Sequence, residues 1–192
     1  KLEYYNPTSA GWATIIDSTV NTNSYTWTVP DVITTGNSIR VRVSDTRDQT
    51  VTYDDSDNPF KIRSNIQALT PNGGDNFMVD TNTVFTWTVT GTVPTVRIEY
   101  SMDDFATVKV IADGLLNNTG TNTYTWMVPD DISVGMITKL RIVDTRDPAG
   151  AYDISDAPFR IRGWFDITTP AADYKNYTVS RQHPISWTTY GT

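Results

Sequence analysis

The sequence of 192 residues carries a formal net charge of −7 and contains no Cys. An acidic surface repels a phosphate backbone, so nucleic acid is excluded as an expected partner. Without Cys the chain has no disulfides and no Cys-ligated metal site. No apolar run approaches the roughly 20 residues that a membrane-spanning helix needs, so we expect no membrane insertion.

Short strands, each bounded by Gly, Pro, Asn or Asp, are the regular elements that the sequence predicts. Apolar and polar residues alternate within them, which is typical of a strand with one face on a core. About seven such strands in just under 100 residues, with no helices between them, favour an antiparallel β-sandwich of immunoglobulin-like or fibronectin-III-like type, and a small barrel is the alternative. The clearest runs are 1–5, 24–29, 39–43, 66–70, 84–89, 97–101, 123–128 and 139–143.

The chain matches itself when it is displaced by 96 to 100 positions. SYTWTVPD at 24–31 matches TYTWMVPD at 123–130, and IRVRVSDTRD at 39–48 matches TKLRIVDTRD at 138–147. The changes in offset fall between the strand-like runs, where loops absorb insertions. A period of this length predicts tandem repeats of one sandwich.

The repeated Tyr-x-Trp-x-Val motif is interpreted as one strand that places three large side chains on a core. In the first copy these are Tyr25, Trp27 and Val29. The Pro that follows cannot donate to a β-ladder and ends the strand. The next residue, Asp31 or Asp130, is expected to bond nearby backbone amides in the turn.

The repeat predicts three pieces of unequal strand content. Residues 64–162 form one complete sandwich, whereas residues 1–63 lack the equivalents of its first two strands, 66–70 and 84–89. Residues 163–192 contain those two strands alone, as the start of a further or a neighbouring subunit's sandwich. Two interpretations stay open: the chain is a window of a longer tandem array, or the final strands of one subunit fill the open sandwich of the next by strand addition. Both cover core and edges that would otherwise be exposed.

Only short segments join successive units, at 63–65 (Arg-Ser-Asn) and 162–164 (Arg-Gly-Trp). Neither is a flexible Gly/Ser-rich linker, so the sequence predicts a stiff rod. Trp164 has no aromatic counterpart at Asn65. One expectation is that Trp164 packs in the joint between units, and the other is that it is an ordinary, partly exposed Trp on the first strand.

The segment TPNGGDNFMVDTNTVFTWTVTGTVPTVRIEYS, followed by TYTWMVPD, KLRIVDTRD and SDAPFRIR, resembles the immunoglobulin-like repeats of large bacterial and archaeal surface proteins. It is also similar to the Kre9/Knh1-type domain of fungal cell-wall proteins. The resemblance covers nearly the whole chain and rests on core and turn residues. It implies an extracellular module of a wall, adhesin, stalk or filament, and it brings no catalytic residues. PAAD at 170–173 departs from the PNGG turn at 71–74.

Acidic residues recur at equivalent positions around the hairpin between the last two strands of each unit. Carboxylate-rich loops supply the oxygen ligands that calcium requires, so these residues are the calcium candidates. The alternative is that they cap turns and pair with the Arg of the shared DTRD motif. The set comprises Asp45, Asp48, Asp54, Asp57, Asp144, Asp147, Asp153 and Asp156.

Other motifs have simple structural interpretations. SMDDFATV at 101–108 resembles an Asp-box hairpin, in which an Asp side chain caps its own turn. His183, the single His, is expected at the surface. Asn117 and Asn176 begin Asn-x-Thr sequons and are the candidates for N-glycosylation.

The expected function is structural: a non-enzymatic repeat of an extracellular filament, stalk or cell-surface protein that stacks or polymerises end to end. Its expected partners are copies of itself or adjacent repeats, with no cofactor and no catalytic or cofactor-binding residues. The alternative is an adhesin or a carbohydrate-binding accessory module of a large secreted protein. The aromatic candidates for a sugar platform are Tyr5, Trp12, Tyr53, Tyr152 and Tyr190.

Overall fold

A computed structural model describes residues 1–170 and 176–191. These residues form fifteen strands and no helix, so the prediction of an all-β chain is confirmed. Within them no helix is long and apolar enough to cross a membrane. The turn expected at 170–173 lies largely outside the described residues. The strands are β1 (Leu2–Asn6), β2 (Gly11–Ile16), β3 (Val41–Ser44), β4 (Tyr53–Asp55), β5 (Asn65–Thr70), β6 (Asn76–Met78), β7 (Asn82–Thr90), β8 (Thr95–Ser101), β9 (Lys109–Leu116), β10 (Gly120–Met127), β11 (Lys139–Asp144), β12 (Tyr152–Ile154), β13 (Arg160–Arg162), β14 (Trp164–Thr169) and β15 (Ser186–Tyr190).

Strands β5 to β13 form what we call the central unit, in which seven of these strands build two facing sheets. One sheet has the order β10-β7-β5 and the other the order β12-β11-β8-β9, both antiparallel. The short β13 pairs in parallel with β6. Alternating strand residues turn one face of each sheet inward, as the period-two pattern predicts.

The core of the central unit takes side chains from both sheets, which makes the arrangement sandwich-like. Phe85 and Trp87 of β7 are fully buried, as are Ile98 of β8 and Ile142 of β11. Trp126 of β10 packs against Phe85 with ring centroids 5.1 Å apart. Burial of each such side chain contributes about 1.5–3 kcal/mol, so this cluster dominates the stability of the chain.

Residues 1–63, the first unit, form one four-stranded sheet with the order β2-β1-β3-β4. Its pairing repeats that of the central unit: Val43 lies opposite Leu2 and Asp54, and Ile142 lies opposite Ile98 and Asp153. The isolated bridges Ile39–Phe60 and Thr138–Phe159 are also equivalent. The hydrophobic core of the first unit is much smaller than that of the central unit, and its buried members are Tyr4, Ile39 and Ile62.

The last two strands, β14 and β15, form a separate antiparallel hairpin. Ile167 lies opposite Trp187, as Ala68 lies opposite Trp87 in the β5–β7 pair. Both pairs carry a register irregularity directly after these residues. The hairpin therefore has the shape of the β5–β7 pair without β10. The division into units after residues 63 and 162 stays a prediction.

One predicted strand is absent. SYTWTVPD at 24–31 forms no β-strand, whereas its counterpart supplies most of β10. In the central unit β10 bonds to β7 along its whole length. Residues 1–63 offer no equivalent of β7, so the backbone groups of 24–30 have no ladder to join. The expectation of a strand here was wrong because a strand needs a partner as well as a favourable pattern.

Candidate functional site at the joints and open edges

The joint between the first and central units centres on a carboxylate. Asp31 Oδ1 accepts a hydrogen bond from the backbone N–H of Thr92 (3.0 Å), and Oδ2 accepts one from the Thr92 hydroxyl (2.7 Å). These two bonds hold the pKa of Asp31 below its usual value, and Arg146 nearby acts in the same direction. We expected Asp31 to bond nearby amides, but it bonds a loop 61 positions along the chain.

Close backbone approach shapes the same joint. Gly91 has a φ of +90°, and a Cβ placed on it would lie 3.1 Å from Ile33 Cδ1 and 3.4 Å from Asp31 Oδ1. A side chain there would be strained by its backbone conformation and would crowd Ile33. The absence of a side chain at Gly91 therefore allows the β7–β8 loop to pack closely against the first unit.

Basic residues at the end of the first unit reach the DTRD loop of the central unit. Lys61 Nζ lies 2.7 Å from Asp147 Oδ2, and Arg63 donates to the Gly150 carbonyl at 2.6 Å. The Asp147 side chain is only 12% exposed, so its charge is well shielded from water. These contacts, together with Asp31–Thr92, hold the two units on more than one side of the junction.

The junction after the central unit has the same arrangement around Gly191. Its φ is +82°, and an added Cβ would meet Ile132 Cδ1, Gly163 Cα and Asp130 Oδ1 at 2.9, 3.1 and 3.3 Å. These neighbours are the equivalents of Ile33, Ser64 and Asp31 around Gly91. The same local geometry thus occurs twice in one chain.

Trp164 lies at this second junction. Its indole N–H donates to the Val79 carbonyl at 2.9 Å, and its ring stacks on Tyr190 with centroids 4.0 Å apart. Asn65, at the equivalent place in the first junction, cannot make these contacts. Trp164 therefore links the β14–β15 hairpin to the central unit.

The acidic candidates divide among separate partners. Asp45 and Asp144 each bind the Arg two residues on, and Arg47 holds the pKa of Asp45 at about 2. Asp48 accepts from Thr50, and Asp147 pairs with Lys61. The rest are spread over the same hairpins: Asp153 accepts from the Ala68 N–H, Asp156 exchanges hydrogen bonds with Asn72, the Asp57 carbonyl accepts from Arg40, and Asp54 is exposed on β4.

These contacts are those of turn caps and ion pairs. In the part of the chain that the structure describes, no three His, Asp or Glu side chains come together as a metal site would require. The calcium interpretation stays a prediction.

The remaining sequence candidates lie apart from the joints. Asn117 is half-buried: its amide oxygen accepts from the Trp87 indole (2.8 Å) and its nitrogen donates to the Val93 carbonyl (3.1 Å), which gives it a structural role. Asn176 and His183 are exposed. Asp103 accepts from the Thr107 N–H at 2.8 Å, so the expected cap of the SMDDFATV turn is confirmed.

The β14–β15 hairpin exposes apolar side chains whose equivalents in the central unit are buried. Phe165, Ile167 and Trp187 are 68%, 62% and 58% exposed, whereas their equivalents Ile66, Ala68 and Trp87 are at most 5% exposed. Monomeric proteins rarely expose a contiguous patch of such residues without a function. The first unit is also open, because Val43 is 53% exposed and its equivalent Ile142 is fully buried.

An aromatic cluster lies on the first sheet. The guanidinium of Arg42 lies 4.1 Å from the Trp12 ring centroid and 4.2 Å from that of Tyr53, and Tyr5 meets Trp12 edge-on at 5.8 Å. Three of the predicted platform residues are thus brought together. Tyr190 is separate and stacks on Trp164, while Tyr152 lies 5.6 Å from the Arg141 guanidinium.

Comparisons with protein families, with curated proteins and with solved structures found no match to this chain. The resemblance to surface-protein repeats therefore stays a prediction. Sequence reasoning placed Arg63 in the junction segment but missed Thr92 and Lys61 as joint residues. The repeated Gly-Thr pair at 91–92 and 191–192 was the available signal, since it recurs outside the strand pattern.

Proposed function

We propose that the chain is a non-enzymatic structural module of an extracellular filament, stalk or cell-surface protein, built from tandem immunoglobulin-like sandwiches that stack end to end. The observation that carries the proposal is the repeated joint. Gly91 and Gly191 each rest on an Ile, an Asp and a junction residue at equivalent positions. A joint used twice at one spacing generates a linear array.

The joint contacts also support stiffness. A flexible linker would leave successive units free, whereas Asp31–Thr92, Lys61–Asp147 and Arg63–Gly150 fix the first unit to the central one. Hydrogen-bonded strands within each unit resist extension because several bonds must break together. An array of this kind suits a load-bearing or spacing role outside the cell.

Electron microscopy of the purified chain tests this proposal. We expect end-to-end particles or filaments whose axial repeat corresponds to two units. Dispersed short particles at all protein concentrations would contradict it. A joint variant, Asp31→Ala, should leave each unit folded and increase the bending between units in the same images.

The cluster of Tyr5, Trp12 and Tyr53 favours one alternative, an adhesin or carbohydrate-binding module. Aromatic rings on one sheet can stack against sugar rings. Binding of the chain to polysaccharides, lost in Trp12→Ala and retained in Tyr190→Phe, would support this alternative. If both variants bound polysaccharide equally well, or if the unmutated chain did not bind it, the carbohydrate-binding alternative would be excluded.

A further inference from the structure

Among residues 1–170 and 176–191, β15 has an unpaired edge, and residues 22–28 have no partner strand. The sequences of these two segments match those of two strands that pair with each other in the central unit. In the described residues β15 pairs with β14 alone, and residues 24–30 belong to no strand. The equivalents of both, β7 and β10, pair along eight consecutive positions in the central unit. The chain therefore contains a template for the contact that these two edges lack.

The template fixes a register. In the central unit Asn122 lies opposite Trp87, Thr123 opposite Thr86 and Tyr124 opposite Phe85. Transferred by the repeat, Asn23 would lie opposite Trp187, Ser24 opposite Ser186 and Tyr25 opposite Ile185. Pro184 would stand at the start of its strand, where a missing N–H is tolerated.

We propose that residues 22–28 of one copy of this chain pair antiparallel with β15 of a second copy, so that the β14–β15 hairpin closes the open sandwich of its neighbour. This inference rests on the proposed end-to-end assembly and specifies its contact. The exposed Ile185 and Trp187, 67% and 58% accessible, would then enter a core as Phe85 and Trp87 do. Addition of a strand to an open edge is an established mode of protein recognition.

A carboxylate supports the same arrangement. In the central unit the Ala68 N–H of β5 donates to Asp153 Oδ2 on the facing sheet, at 2.8 Å. The equivalents of these residues are Ile167 and Asp54. Asp54 is exposed on β4. In the assembled pair, the Asp54 carboxylate of one copy accepts a hydrogen bond from the Ile167 N–H of the other copy.

Cysteine cross-linking in the full chain tests the proposed register between the two copies. The chain has no native Cys, so every disulfide must form between introduced residues. Ser24→Cys and Ser186→Cys are made separately, mixed and oxidised, so that any link must join two copies. Directly opposed strand residues have Cα atoms about 4.5–5.5 Å apart, within disulfide range. We expect a disulfide-linked dimer from the mixture. The control mixture of Ser24→Cys with Thr188→Cys is two residues out of register and should link at least about tenfold more slowly.

A second pair of variants tests the apolar contact. Ile185→Asp should weaken self-association at least about tenfold, since the side chain would enter the partner's core. Val179→Asp, at a site that is 90% exposed and outside both edges, should leave association unchanged. Light scattering over a concentration series gives both values, and circular dichroism verifies that each variant is folded.

The outcomes separate this inference from the proposed function. End-to-end association with no preference for the Ser24–Ser186 link would overturn strand exchange and leave stacking intact. A chain that stays monomeric and never links would contradict both strand exchange and the end-to-end association of separate copies. Equal effects of Ile185→Asp and Val179→Asp would likewise overturn the proposed contact.

Discussion

Residues 22–29 and 121–128 are almost the same sequence in two different states. In the central unit the segment forms β10, Trp126 is buried and Val128 is fully enclosed. In the first unit the segment forms no strand and Val29 is 53% exposed. Local propensity is common to both, so the difference comes from the partner strand that only the central unit provides.

The β5–β7 pair and the β14–β15 hairpin complete the comparison. The two pairs share their register and the position of a register irregularity, yet only the β5–β7 pair is covered by a second sheet. Backbone pairing is therefore independent of sheet packing in this chain.

The largest effect is expected from truncating the repeated tryptophans. Trp87→Ala should lower the free energy of unfolding by about 3–5 kcal/mol because Trp87 lies in the core of the central unit. Trp187→Ala should change it by less than about 0.5 kcal/mol in the dilute chain, since that ring is largely in water. Urea unfolding measures both. Equal losses would show that the hairpin is already packed.

Truncation of an equivalent pair of serines should have an intermediate effect. Ser155 Oγ accepts from the Leu140 N–H at 3.1 Å in a buried setting, and Ser56 Oγ accepts from Val41 N–H at 3.2 Å in a more open one. Ser155→Ala should cost about 1–3 kcal/mol, because a buried donor is left unsatisfied. Ser56→Ala should cost less, since water can replace the bond. Thermal unfolding that ranked Ser56→Ala above Ser155→Ala would break the comparison.

A smaller effect is expected at the joint. Asp31→Ala removes both bonds to Thr92 and should weaken the contact between units by about 1 kcal/mol, given its exposure to solvent. Asp48→Ala removes the same charge away from the joint and serves as the control. The interdomain angle distribution from small-angle scattering should broaden for Asp31→Ala alone. An unchanged distribution would mean that Lys61 and Arg63 hold the joint without Asp31.

The smallest effect is a pH dependence at the Asp103 turn. Hydrogen bonds from the backbone and hydroxyl of Thr107, and then from Ser101, hold the pKa of Asp103 at about 2. A carboxyl group whose pKa is lowered by folding stabilises the folded state at pH values above its unfolded-state pKa. That stabilisation is lost as the pH falls from about 4 to about 2. Titration of the carboxyl carbon by NMR should give this value, and Asp103→Asn should reduce the loss of stability with acid. An ordinary value near 3.8 would contradict the cap.

The sequence was a good guide wherever a strand and its partner both lie in the chain. Alternation predicted that Phe85, Trp87 and Val89 face one core, and all three are buried. The same alternation placed Tyr25, Trp27 and Val29 in a strand that does not form. Periodicity reports the face that a strand would bury and contains no information on whether a partner is present.

The joint was less predictable than the core. Asp31 bonds Thr92 across 61 positions, a contact fixed by the packing of two units and by no local pattern. An Asp after a Pro is most simply interpreted as a turn cap, and that interpretation was wrong here. Within the DTRD turn, by contrast, the acceptor and donor are two residues apart, and the pairing of Asp144 with Arg146 followed from the motif.

Amide hydrogen exchange on the dilute chain tests most directly whether a partner strand decides the state of the repeated segment. We predict that amides of β10 bonded to β7 are strongly protected, whereas the equivalent amides in residues 22–28 exchange almost freely. As the protein concentration rises, residues 22–28 should gain protection through pairing with β15 of another copy. Equal protection of the two segments in the dilute chain, unchanged by concentration, would contradict the account.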